Sequence, residues 1–175
     1  MYYFLVFAIG MTSAAWLGHG FQAYISDKFK MIGWICGATG IMFLQMGSLQ
    51  SIKSILTRNV TFLLITVFVI QYVVAVSCMI GFFNFKVVQL NSVIGLWGFV
   101  LPLQLFAHLK CKKEGANMVI LALLYSVIPG LIYSNQISIS KWFNYHDISH
   151  VLMAGFMTLM FVGLRKLILS ETMNN

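Results

Sequence analysis

The chain has 175 residues, 60% of them hydrophobic and only 9% charged, with a mean hydropathy of +0.89. A soluble protein of this size cannot hide so much apolar surface, because its surface-to-volume ratio is too high, so the excess must face lipid. The net charge of +7 does not point to nucleic acid: the basic residues stand singly or in small groups between apolar runs, and no basic stripe carries interleaved aromatics.

A hydrocarbon core about 30 Å thick requires about 20 apolar residues per helix. Six stretches meet that requirement, at about 2–25, 31–50, 60–83, 87–109, 116–134 and 145–169. The first has no basic n-region and is longer than a usual signal-peptide core, so it reads as a retained helix. Gly10, Gly18 and Gly20 on it, and Gly33, Gly37 and Gly40 on the second, are expected to let helices pack closely. The third and fourth are separated only by Phe82-Phe83-Asn84-Phe85-Lys86, which predicts a tight hairpin. The fifth is the shortest, and Pro129 predicts a kink in it. The reading is an all-α fold, a polytopic transmembrane helical bundle of about six spans forming a single domain over 1–175, with no repeat and no linker. Cys36, Cys78 and Cys111 lack CxxC spacing and read as buried thiols. Trp34, Trp97 and Trp142 are candidate interface anchors.

Six spans put both termini on one side of the membrane. That side then carries Lys53, Arg58, Lys110, Lys112, Lys113, Arg165 and Lys166, and the other carries Lys28, Lys30, Lys86 and Lys141. Seven against four favours cytoplasmic termini, in the inner membrane for a bacterial protein.

Ionisable groups at membrane depth are expensive and mark function. Of the four histidines, His19 lies late in the first span, and His146 and His150 lie early in the sixth, which runs the opposite way. All three are therefore expected at similar depth on one side, whereas His108 ends the fourth span at the other face. His146 and His150 are four residues apart, so their rings project from one face of a helix and suit chelation of one metal ion. A third imidazole, His19, plus a water completes the open tetrahedral site of catalytic zinc. His146-Asp147-Ile148-Ser149-His150 has zincin spacing with aspartate in place of the glutamate base. Asp27 follows His19 by eight residues and falls on the same side of the helix if that helix continues. Only four acidic residues exist in the chain, and two of them, Asp27 and Asp147, fall at this face as candidate proton acceptors. The plainer reading of Asp27 is a solvated charge beside Lys28 and Lys30; that of Asp147 is a helix N-terminal carboxylate favoured by the macrodipole. Asn144, Tyr145, Gln22 and Ser149 are candidate supporting donors.

An early-span histidine, a nearby aspartate, and His-x-x-x-His opening the last span resemble the CREST superfamily of membrane hydrolases, which includes alkaline ceramidases and the progestin and adipoQ receptors. The run His146-Asp-Ile-Ser-His150-Val-Leu is especially similar to the receptor branch. The resemblance implies His19, His146 and His150 as zinc ligands and Asp27 as the counterpart of the family's aspartate. The family has seven spans, which implies that this chain lacks the first. The family's serine one turn before the early histidine corresponds to Ala15 here, and Thr12 and Ser13 do not match its position.

The expected function is zinc-dependent hydrolysis of an amide or ester bond in a membrane lipid. A receptor-like or structural protein holding zinc without turnover is the alternative. A haem-binding electron carrier fits less well, because His146 and His150 share one helix face and cannot be opposite axial ligands to one haem.

Overall fold

The structure, a computed structural model, describes residues 2–13, 24 and 26–172. Every regular element among them is helical. The helices are α1 (Tyr2–Ser13), α2 (Lys30–Gln50), α3 (Arg58–Phe82), α4 (Phe85–Ser92), α5 (Leu101–Leu109), α6 (Ala116–Tyr125), α7 (Val127–Ser134) and α8 (Tyr145–Thr172), with a π-helical stretch, Val93–Val100, joining α4 to α5. Among the described residues five helical runs are long and apolar enough to cross a membrane, and they coincide with the predicted second to sixth spans. α1 is a shorter apolar helix; the rest of the predicted first span lies outside the described residues except Tyr24, which stands in a turn. The chain is an all-α, multi-pass membrane protein. Its exterior agrees: on α3 alone Phe62, Leu63, Ile70, Val73, Val74 and Phe82 are exposed, a surface that hydrocarbon tolerates and water does not.

The helices form two compact units, Met1–Leu103 and Gln104–Asn175. In the first unit α1 packs on α2 through small residues. A Cβ added at Gly10 would lie 2.8 Å from that of Cys36, and the Tyr3 ring closes to 3.4 Å of the Cβ position of Gly40. The Cβ position of Gly37, by contrast, meets nothing within 4 Å, although its backbone N lies 3.9 Å from the Cβ position of Gly10. The predicted hairpin between the third and fourth spans is present. Phe83 takes the left-handed conformation (φ 45°) and donates its N–H to Met79 O, closing α3, while the Asn84 side chain accepts from Lys86 N–H at 2.9 Å and starts α4. Trp34 packs on this turn, with ring centroids 5.0 Å from Phe83 and 5.9 Å from Phe85. The three cysteines are half-buried rather than buried.

The fourth span contains a change of helix type. Ser92 Oγ donates to Val88 O at 2.9 Å, and Pro102 supplies no N–H to the helix, so the ladder between them shifts to the wider π pattern, with Leu101 N–H bonded to Leu96 O. The fifth span is interrupted at Ser126, between α6 and α7. Pro129 cannot donate to Tyr125 O, and it sits in the first turn of α7, where a missing N–H is tolerated.

In the second unit α6 buries Ala116, Val119, Ala122 and Leu123, a helical stripe, and α8 buries Phe156, Met160, Gly163 and Leu167. The two helices cross at Gly115 and Gly163. A Cβ on Gly163 would lie 2.9 Å from Val119 N and 3.1 Å from Gly115 O. Gly115 itself has φ +95°, and a Cβ there would collide with Gly163 O. Higher on α8, Gly155 faces Tyr125, whose hydroxyl lies 2.9 Å from the Cβ position.

Candidate functional site

The head of α8 carries the predicted histidine pair, and its first turn is held by a reciprocal cap. Asn144 Oδ1 accepts from His146 N–H at 2.8 Å, and Asp147 Oδ2 accepts from Asn144 N–H at 3.0 Å. This is a capping box with asparagine at the N-cap and aspartate three residues on. Each half of such a box is worth about 1 kcal/mol. The carboxylate also lies where the helix dipole favours negative charge. The loop before it is tied down as well, since Tyr145 N–H donates to Ser138 Oγ at 3.1 Å and Phe143 N–H to Ser140 Oγ at 3.0 Å.

The His146 ring is half-buried among aromatics. Its centroid lies 4.1 Å from Tyr145 and 5.4 Å from Tyr133, the latter edge-on at 78°. His150, one turn further along, is exposed. In a continuous helix residues four apart have Cβ atoms about 5–6 Å from each other, within reach of a shared ion. Ser149 is buried and donates to Tyr145 O at 2.6 Å, with Pro129 O of α7 at 3.3 Å, so its hydroxyl serves helix contacts rather than an open pocket.

His19 and Gln22 lie outside the described residues. Asp27 opens a short 3-10 turn, Asp27–Phe29, which leads directly into α2; its side chain is likewise outside the description. The first helix does not continue through Ser26 to Asp27, so the helical-wheel argument placing Asp27 on the side of His19 does not hold. Among the described residues no three of histidine, cysteine, aspartate and glutamate lie close enough to hold a metal ion, and His19 is not among those residues. His146 and His150 stand at the four-residue helical spacing that two imidazoles sharing an ion require.

A second polar constellation escaped the sequence reading. In the first unit Gln45 Nε2 donates to Gln71 Oε1 at 2.9 Å, and Gln71 Nε2 donates to Asn91 Oδ1 at 2.9 Å and Asn91 O at 3.3 Å. Gln45 and Asn91 are buried, so three membrane-spanning segments are linked by amides away from water. The chain passes the cluster at Gly95, in the π-helical stretch, where any Cβ would collide with Ile41 and lie 3.3 Å from Gln71 Nε2. Nearby, the Thr39 and Tyr72 hydroxyls meet at 3.1 Å. π-Helical segments often mark functional positions. The available signals were Pro102 in the fourth span and three amide side chains at membrane depth.

The whole architecture, from α1 to the body of α8, falls under one family model, which matches residues 1–169 and is described as a family of unknown function, DUF6962. The chain belongs to that family. No curated protein and no solved structure matches it.

Proposed function

We propose that this protein is a CREST-like, zinc-dependent membrane hydrolase that cleaves an amide or ester bond in a lipid. The observation that carries the reading is the His146–His150 pair on the capped first turns of α8. A capped turn fixes the backbone that carries both rings before any ion binds, which lowers the ordering cost of binding. His19 is assigned as third ligand from its place in the sequence. When bound, zinc supplies Lewis acidity that acidifies water and polarises a carbonyl.

The chain's own residues divide the remaining work. Asp147 Oδ2 is engaged with the Asn144 amide, so Asp147 is assigned to positioning the histidine-bearing turn. Asp27 is assigned the proton transfer. The surroundings suit a lipid: Ile137, Ile139, Trp142, Phe143 and Val151 are all exposed beside the head of α8, with Trp142 at 95%. Such a belt belongs at a membrane interface, where an acyl chain enters from the side. By the distribution of basic residues the termini are cytoplasmic and this end of α8 faces the opposite side.

The test is turnover of a panel of lipid amides and esters by purified protein in mixed micelles. Hydrolysis that chelation abolishes, that zinc restores and that His146→Ala lacks is the expected result. No turnover across the panel by zinc-loaded protein overturns the enzymatic reading. The engagement of Asp147 in the cap favours one second reading, a receptor-like or structural protein in which the same metal fastens helices. Metal binding without turnover is its signature.

A further inference from the structure

The opposite end of α8 carries a second, unrelated feature. His146 and His150 lie 20 and 16 residues before Lys166, about 30 and 24 Å along the axis at about 1.5 Å per residue. Lys166 therefore sits a hydrocarbon thickness away from the histidines. There the end of α5, the start of α6 and the last turns of α8 enclose an open cleft of about 330 Å³, lined by His108, Lys112, Lys113, Glu114, Gly115, Asn117 and Lys166. Three lysines against one glutamate leave a formal +2 with His108 neutral. Lys110 and Arg165 flank the cleft in sequence.

The cleft exists because of the glycine crossing. Gly115 and Gly163 let α6 meet α8 backbone to backbone, so close that a Cβ on Gly115 would lie 2.8 Å from Lys166 Cβ. That contact brings Lys166 up to Lys112 and Lys113, which otherwise belong to the loop. It also sets the first turn of α6 beside the cleft, where Ala116 N–H bonds to Lys113 O and Met118 N–H to Asn117 Oδ1, so the site rests on its lysines and not on the helix terminus. An ordinary solvated lysine face does not converge on a concave site of ligand size.

We propose that this cleft binds the phosphate of an anionic phospholipid headgroup. Inorganic or soluble organic phosphate shares that chemistry, but the rim selects the lipid. Phe106, Leu109, Ile168 and Leu169, all within three residues of the lining residues His108 or Lys166 in sequence, are exposed and apolar, a surface suited to acyl chains rather than to the approach of a soluble ion. Basic pockets between spanning helices on the cytoplasmic side are the expected place for such headgroups, where anionic lipid is concentrated.

The experiment is native mass spectrometry of the full chain released from phosphatidylcholine nanodiscs containing a minority of phosphatidylglycerol. Wild type is expected to retain phosphatidylglycerol in preference to phosphatidylcholine, and inorganic phosphate is expected not to displace it. Each lysine removed should weaken that preference about five-fold, so K112Q/K166Q should lose it by about 25-fold. Lys141→Gln, which removes the same charge from the loop before α8, should retain it, and matching thermal melts confirm that all variants are folded. Retention that inorganic phosphate displaces, still with lysine dependence, overturns the lipid assignment and leaves a site for soluble phosphate. No preference in wild type, or an equal preference in K112Q/K166Q, overturns the phosphate site itself.

Discussion

Gly115→Ala lowers the stability of the protein by roughly 2–5 kcal/mol, whereas Gly130→Ala leaves it unchanged or slightly improved. The first cost has two origins. An alanine at φ +95° is forced into left-handed backbone, worth about 1–2 kcal/mol. Its Cβ also meets Gly163 O and Leu167 N, which are backbone atoms of α8 and cannot rotate away; overpacking of this kind costs about 1–3 kcal/mol. Gly130 lies in α7 with nothing within 4 Å of its Cβ position. There alanine recovers up to about 1 kcal/mol of helix propensity. Thermal melting in a mild detergent separates the two variants. Equal melting temperatures would show that α6 and α8 do not cross at these glycines.

The second large effect is expected at Gln71. It is the middle amide of three, bonded to both Gln45 and Asn91, so Gln71→Leu strips two buried groups of their partner at once. Orphaned buried polar groups cost about 1–3 kcal/mol each, but interhelical bonds in membranes average only about 0.6 kcal/mol, because the unfolded chain finds other partners. A loss of about 2 kcal/mol follows from weighing the two. The diagnostic is non-additivity: the double variant Q45L/Q71L, which removes both ends of the first bond, should be no less stable than Gln71→Leu alone. Additive losses in thermal melting would mean that the amides act separately.

The sequence and the structure agree where one strong signal decides. Uninterrupted apolar length located the second to sixth spans, and Phe83-Asn84 located the hairpin, because a short break between two spans leaves the chain no other route. Tertiary details were less legible. Gly37 and Gly40 look equivalent in sequence, yet only at Gly40 does the Cβ position meet another helix's side chain, because which face a neighbour covers is set by packing and not by spacing. The amide cluster was invisible for the same reason. Gln45, Gln71 and Asn91 are far apart in the chain and become one site only when α2, α3 and α4 pack. At the candidate metal site, local spacing did forecast that His146 and His150 share the capped start of α8. For Asp147 the plainer reading, a helix N-terminal carboxylate, agrees with its place in the cap; spacing alone could not choose, since a zincin motif and a capping box put an acidic residue at the same point of a helix. For Asp27 the helical wheel assumed one uninterrupted helix across Ser26, which is not helical, so its place beside His19 rests on the sequence alone.

The central claim is the histidine-held metal, and elemental analysis of detergent-purified protein, wild type beside His150→Ala, tests it most directly. Near one zinc per chain in wild type and none in the variant is the predicted result. A wild-type protein without stoichiometric metal under gentle purification, or a variant that keeps as much zinc as wild type, would contradict it.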